Sequence, residues 1–302
     1  MRLRSGLECK TTKKTMKNLN TKPVTIPIKK IVKETPTIWT FIFEYELGSK
    51  PGQFLMLWIP GVDEKPFSIA FEGEVDGGSG GGRHEFWLTI AKVGPATEAL
   101  FKLKEGDLIG IKGPFGTHYS WKKGDHLALL AGGYGAAPLY GVARAAVEDG
   151  CEVEFIVGAR SADMLLYENR IKDLGAGVRY HAATDDGSKG HKGYNTEVLE
   201  EILAGASSAD EVSSVPIARI FACGPEMMMK RAAEIARAKG IKSQLALERY
   251  MKCGIGVCGQ CCVDGSGVCV CKEGTIFDGE VALGFSEFGK YHRDSVGRKV
   301  EW

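Results

Sequence analysis

The sequence predicts an α+β multidomain chain: an antiparallel β-barrel, then a parallel α/β domain, then a small cysteine-rich C-terminal domain. Three observations predict it. Residues 23–123 carry short runs rich in Ile, Val, Phe, Trp and Thr, separated by Gly, Pro or charged turns. Residues 124–240 alternate apolar runs with helix-period stretches. Residues 241–302 hold six of the nine cysteines, all between Cys253 and Cys271.

The chain has 302 residues, enough for two or three domains with a sizeable core. A net charge of +1 gives no reason to expect nucleic acid or acidic lipid as a partner. Apolar stretches such as "HLALLAGGYGAAPLYGVA" are broken by glycine and proline and are too mixed to span a bilayer. The start, "MRLRSGLECKTTKKTMKNLN", has basic residues but lacks the apolar stretch of a secretory signal. The expected compartment is therefore the cytoplasm, where thiols stay reduced and dense cysteines point to metal or catalysis rather than to disulfides. Residues 1–22, with seven Lys and Arg against the single acid Glu8, read as a flexible tail, and Met16 is an alternative start.

In the first domain the expected strands are "VTIPIKKIVKE", "IWTFIFEY", "QFLMLWIP", "FSIAF", "EFWLTIAKV" and "DLIGIKGPFG", which suggest a small barrel. Residues 73–85, "GEVDGGSGGGRHE", read as a long hairpin loop; they lack the Lys-Ser/Thr ending of a phosphate loop. In the second domain, strands "HLALLAGG", "CEVEFIVGAR", "VRYHAAT" and "ARIFACG" alternate with helices "APLYGVARAAVEDG", "MLLYENRIKDLG", "NTEVLEEILAG" and "PEMMMKRAAEIARAKG". That alternation argues for a parallel sheet covered by helices. The third begins with a strand, "KSQLALERY", and passes into the cysteine segment.

The cysteines carry the most specific chemistry. Cys253, Cys258 and Cys261 follow C-x4-C-x2-C, the plant-type spacing of a [2Fe–2S] cluster, and a later cysteine completes four ligands. Gly254, Gly256 and Gly259 let the backbone wrap the core and point N–H groups at sulfur. Structural zinc sites separate their cysteine pairs by a longer spacer, so iron–sulfur is favoured over zinc. Cys262 directly follows Cys261 and should leave in another direction; spacing does not decide between Cys269 and Cys271. Unused thiols are expected as small buried hydrophobes.

Other motifs are weaker singly. "AGGYGAAPLYG" (131–141) is a glycine turn between strand and helix, suited to a cofactor edge or to tight packing. "FACGPEMM" (221–228) puts Cys223 at a strand's carboxyl end, where open α/β sheets bind ligands. In "ATDDGSKGHKG" (183–193), Asp185 and Asp186 suit ribose hydroxyls or, by preference, a solvated turn. "EKPFSIAF" (64–71) and "AKVGPATEALFKLKEGD" (91–107) pair a basic residue and Ser68 with a turn leading to Thr97, a set able to hold a diphosphate. The histidines show no ligand spacing.

Taken in order, these motifs resemble the ferredoxin–NADP reductase superfamily, a flavin-binding barrel followed by a nicotinamide-binding domain. "KPFS" looks like its R-x-[YF]-[ST] flavin motif, "GGYGAAPL" like its GGxGxAP turn and "CGPEMM" like its CGPxxM turn. "LERYMKCGIGVCGQC", the later "VCKEGTIF" and "TDDGSKGHKG" are similar to the electron-transfer subunits of NAD-dependent dihydroorotate dehydrogenase, over residues 23–280. The resemblance implies FAD, a [2Fe–2S] cluster and NAD as the redox carriers. It makes Cys271 the fourth ligand. It places flavin contacts on Lys65, Pro66, Phe67, Ser68, Ile90, Ala91, Lys92, Ala96 and Thr97. Nicotinamide contacts fall on Gly132, Gly133, Gly135, Cys223, Gly224 and Pro225. Lys65 stands where the family has arginine and offers a point charge rather than a fork. "GPAT" and "EGTIF" also depart from the family's G-x-G-T and DGPVF.

The implied partner is an FMN-containing catalytic subunit that oxidises dihydroorotate in pyrimidine biosynthesis, in a hetero-oligomer. This chain is not expected to bind dihydroorotate by itself. Ferredoxin-linked transhydrogenase and hydrogenase-linked reductase subunits look similar in the same regions, which leaves an NAD(P)H–ferredoxin or hydrogenase-linked role as the alternative. A zinc or redox-sensing regulator on a reductase scaffold is the non-enzymatic rival. NAD against NADP turns on charge near the adenosine ribose, where Arg160 either contacts the ribose or faces solvent.

Overall fold

A computed structural model describes residues 22–75, 82–205 and 215–301. The basic tail lies outside the described residues except for Lys22, as does the 76–81 tip of the glycine-rich loop.

The first region is two antiparallel four-stranded sheets packed face to face. One holds β1 (Val24–Pro27), β4 (Phe54–Ile59), β5 (Asp63–Ser68) and β8 (Leu108–Phe115), in the order β1-β8-β4-β5. The other holds β2 (Lys30–Lys33), β3 (Ile38–Glu44), β6 (Phe71–Val75) and β7 (Arg83–Ala91), in the order β2-β3-β7-β6. Phe41, Phe43, Leu55, Leu57, Phe86 and Leu88 alternate inward and fill the space between the sheets. Where the sequence predicts one strand from Val24 to Glu34, the chain makes two, in different sheets. Ile28 N still bonds Asp107 O at 2.9 Å on the β8 side, and Lys29 N then turns to Ile42 O at 2.9 Å in the other sheet. "FSIAF" likewise divides at Ile69–Ala70, with its halves in opposite sheets. A short helix, α1 (Pro95–Leu100), follows β7.

The second region is a seven-stranded sheet. Its strands are β9 (His126–Gly132), β10 (Glu152–Ala159), β11 (Val178–Thr184), β12 (His191–Lys192), β13 (Arg219–Cys223), β14 (Lys242–Ala246) and β15 (Ile276–Asp278). The order is β12-β11-β10-β9-β13-β14-β15, parallel except for β15. Helices α2 (Ala136–Glu148), α3 (Glu168–Lys172), α4 (Asn195–Leu203) and α5 (Glu226–Ala238) connect the parallel strands. Every residue of β9 is buried, as a central strand covered on both faces requires. The helix expected over 164–175 shortens to α3, because Tyr167 adopts a left-handed conformation (φ 66°) just before it.

The third region is not separate from the second. β14, which the sequence places with the cysteine segment, pairs in parallel with β13. The chain then leaves for the cysteines and returns as β15 on the edge of the same sheet. The helices α6 (Val270–Glu273) and α7 (Gly279–Leu283) and a hairpin of β16 (Tyr291–Arg293) and β17 (Lys299–Glu301) complete it. Cys261, Val263, Val270 and Cys271 share one buried core with Met56 and Phe115 of the first region and with Leu245 and Leu247 of the second. Tyr167 ties the first two regions together, its hydroxyl lying 3.0 Å from Thr40 Oγ1 and 2.5 Å from Thr89 Oγ1.

Candidate redox site

The chain crosses from β9 to β10 on one side and later to β13 on the other, so the switch point of the sheet lies between the carboxyl ends of β9 and β13. Two of the predicted turns meet there. A Cβ on Gly135 would sit 2.1 Å from the carbonyl oxygen of Cys223, and one on Gly224 would sit 2.8 Å from the Gly132 backbone. The glycines are needed because the two backbones touch. Burial pushes the Cys223 thiol well up, so it stands at this junction as a neutral group.

Beside the junction is a cavity of about 230 Å³. The first region supplies Pro66, Phe67, Ser68, Ile90, Ala91 and Thr97 to its wall, and the sheet supplies Cys223, all expected from sequence. Phe54, Tyr134, Leu247, Glu248, Arg249, Met251 and Thr275 also line it. Sequence reasoning missed these seven, although Glu248 and Met251 are the first and fourth residues of the quoted "ERYM". Of the remaining expected residues, Ala96 is buried behind the wall and Lys92 is exposed beside it. Gly132, Gly133, Gly135, Gly224 and Pro225 form the turns rather than the lining.

Two side chains are committed locally. Lys65 Nζ bonds Asp63 at 2.7 Å and Tyr250 Oη at 2.8 Å, and it lies over the Tyr250 ring. Thr97 Oγ1 accepts from the Val93 and Gly94 amides at 2.9 and 3.1 Å and donates to Gly94 O, holding the turn before α1. Tyr134 Oη donates to Glu248 Oε2 at 3.2 Å. Glu248 keeps exposed surface as a lining residue of the cavity. The dense protein around that cavity pushes its carboxyl above the usual carboxylate range.

On the cavity wall, Arg249 is buried between two carboxylates. Its Nη1 donates to Glu226 Oε2 at 2.6 Å and its Nε to Glu287 Oε1 at 2.5 Å. Glu287 also accepts from the Asp264 amide at 2.9 Å, and Glu226 from the Gly289 amide at 2.7 Å. One guanidinium thus joins the start of α5 to the segment holding the cysteines.

The six clustered cysteines separate into two sets. Cys253 pairs with Cys258, and Cys261 with Cys271, each pair in thiol–thiol hydrogen bonding. Amides are aimed at these sulfurs: Ile255 and Val257 at Cys253 Sγ, both 3.4 Å, Gly256 at Cys271 Sγ, 3.1 Å, and Cys271 at Cys261 Sγ, 3.4 Å. Gly254, Gly256 and Gly259 take positive φ (72°, 76° and 69°), turning those amides inward. Burial opposes charge on Cys253, but the amide bonds outweigh it and hold the thiol down at about 6. Cys261 is held at about 7, chiefly by the hydrogen bond from Cys271, whose own thiol is pushed up in return. Thiolate is the form that binds metal.

Among the described residues, no three His, Cys, Asp or Glu side chains converge on the position of a single metal ion. Two thiol pairs side by side suit a binuclear centre, with two thiolates for each iron. Cys262 and Cys269 stand outside this cradle. They face each other across an isolated antiparallel bridge, and both are half-buried rather than the small buried hydrophobes expected. No helix among the described residues is long and apolar enough to cross a membrane.

Comparison with known proteins agrees with this arrangement. Residues 129–234 match the oxidoreductase NAD-binding domain, and residues 248–281 match the iron–sulfur cluster binding domain of dihydroorotate dehydrogenase B. The chain is 43% identical to a probable dihydroorotate dehydrogenase B (NAD+) electron transfer subunit of Methanocaldococcus jannaschii, over 92% of this chain and 98% of that one. It is 42% identical to its counterpart in Methanocella arvoryzae, over 93% and 99%. Among solved structures, an NADH-dependent reduced ferredoxin–NADP oxidoreductase studied for flavin-based electron bifurcation aligns with a TM-score of 0.70 and 28% identity, over 84% of this chain and 88% of that one. A switch-point junction, a cavity between β domain and α/β sheet, and a cradle of paired thiols thus occur in a chain that belongs to the family of electron transfer subunits of NAD+-dependent dihydroorotate dehydrogenase B.

Proposed function

We propose that this chain carries electrons between NAD+ and an FMN-containing catalytic subunit that oxidises dihydroorotate, using FAD in the cavity and a [2Fe–2S] cluster in the thiol cradle. One observation carries the proposal: cavity and cradle share a wall. Phe54 and Met251 line the cavity; Cys253 lies two residues beyond Met251, and Gly254 packs against Met56, two residues along β4 from Phe54.

When bound, the flavin supplies the change from hydride pairs to single electrons that links nicotinamide to an iron–sulfur centre. The protein's own part is positional. Pro66, Phe67, Ile90 and Ala91 offer an apolar slot for a ring system, and Ser68 adds a hydroxyl to it. The Gly132–Gly135 and Cys223–Pro225 turns give the nicotinamide a close approach at the switch point, with the neutral Cys223 thiol facing the cavity. Cys253, Cys258, Cys261 and Cys271 hold the cluster, and the four amides aimed at sulfur stabilise its negative charge. On the outer side, Cys258 is exposed between Val257, 78% exposed, and Ile255, 40% exposed. That apolar rim suits docking of the partner subunit.

Anaerobically purified protein is expected to contain flavin, iron and labile sulfide. It should reduce NAD+ from dihydroorotate only with the partner flavoprotein present. A colourless chain, or one that oxidises dihydroorotate unaided, overturns the proposal. Similarity to the ferredoxin–NADP oxidoreductase supports a second reading, in which ferredoxin is the partner. NAD(P)H-dependent ferredoxin reduction without the flavoprotein selects it.

A further inference from the structure

We propose that Cys262 and Cys269 form a reversible disulfide that staples the hairpin carrying two of the four cradle thiols. The two residues are directly opposed across an antiparallel bridge. The backbone bonds around them are Val263 N to Val268 O, 2.9 Å, and Val270 N to Cys261 O, 3.3 Å. Both bonds flank the pair, so Cys262 and Cys269 occupy a non-hydrogen-bonded site. Such sites bring Cα atoms to about 4.5 Å, inside the roughly 4.4–6.8 Å span a disulfide bridges. Side chains at such a site stand closer together than at a hydrogen-bonded one.

The hairpin is preformed. Gly265 and Gly267 take positive φ in its turn, and Glu287 anchors the Asp264 amide at 2.9 Å. Both sulfurs belong to half-buried residues, within reach of a small disulfide. Among the described residues, few backbone bonds close this hairpin (Val263 N to Val268 O, Gly267 N to Val263 O and Val270 N to Cys261 O), while Cys261 directly precedes one thiol and Cys271 follows the other by two residues. A covalent rung here fixes the spacing of both cradle residues.

The reaction is thiol–disulfide exchange with a low-molecular-weight disulfide, RS–SR. One protein thiol attacks RS–SR as its thiolate; that S–S bond breaks, a mixed disulfide forms and one RSH leaves. The second thiol attacks the protein sulfur of the mixed disulfide and expels the second RSH. Two protein thiols are oxidised, one disulfide is reduced, and both thiol protons end on the two RSH. In a thiol-reducing compartment the bond forms only when the disulfide pool rises, and it reverses when the pool falls.

The test uses anaerobic holoprotein treated with glutathione disulfide, then denatured with an iron chelator, alkylated and peptide-mapped. The expected map shows a Cys262–Cys269 linkage, two fewer alkylated cysteines and full reversal by dithiothreitol. Iron release from the native protein to a chelator should be several-fold slower when the linkage is present. C262S/C269S should lose that difference. Full alkylation of both thiols, a stable glutathione adduct on one of them, or a linkage to a cradle cysteine overturns the proposal, as does unchanged iron release. Should the double variant fail to fold, the wild-type map still decides the linkage. The iron-release arm alone rests on the proposed cluster: absence of iron in the untreated protein sinks the cluster and leaves the linkage map readable.

Discussion

The thiol cradle and the cavity are neighbours built in opposite ways. The cradle comes from one segment, residues 253–271, and its shape is local: positive-φ glycines, short spacings and amides aimed at sulfur a few residues away. The cavity is assembled from segments as distant as Phe54, Ile90, Tyr134, Cys223, Glu248 and Thr275. A site made of local geometry stands or falls with single ligands. One made of distant segments depends on whatever holds those segments together. Each of the following experiments breaks or sharpens that contrast.

The largest effect is expected at the cradle. C258S removes one of the four proposed ligands, and the isolated protein should lose most of its iron and sulfide while retaining flavin; metal analysis and the visible spectrum read this directly. C262S, one residue from a ligand but outside the cradle, should keep both. Next is R249M, aimed at the joint in the cavity wall. It leaves Glu226 and Glu287 buried without their cation and should cost about 3–5 kcal/mol in denaturant unfolding.

G135V acts on the proposed nicotinamide side of the cavity. Its side chain meets the Cys223 carbonyl, so the β9 and β13 turns must part. The KM for NAD+ should rise about tenfold, equivalent to ~1.4 kcal/mol, with iron content unchanged. Loss of the cluster in G135V would show that the two sites are not separable.

The smallest effect on either site should come from E154Q, remote from both, which acts on stability alone. Burial opposes charge on Glu154, but His126 (3.2 Å), His181 (2.7 Å) and Arg179 (2.7 Å) outweigh it and hold its carboxyl well below the usual range. A carboxylate depressed in the folded state stabilises the protein above its unfolded value of 4.5 and loses that contribution as pH falls below it. The wild type should therefore be more stable than E154Q by about 1–3 kcal/mol at pH 7. The gap should shrink below pH 4.5, with flavin, iron and NAD+ kinetics unaltered throughout.

By itself the sequence determined what depends on short range. The spacing of Cys253, Cys258 and Cys261 and the glycines between them specify a cradle, because the neighbouring backbone supplies both curvature and amide donors. The switch from period-2 runs to alternating strands and helices specified a β region followed by a parallel sheet, because each run must bury one face. Tertiary structure decided what depends on who packs against whom. It placed β14 in the sheet rather than with the cysteines, since the strand leaving α5 pairs with the open edge of β13 and buries Leu245 there. It split the first predicted strand between two sheets, and it turned Lys65 toward Asp63 and Tyr250. It also set Cys262 against Cys269, a pairing no spacing rule contains, because it depends on two rungs of a hairpin closing in register.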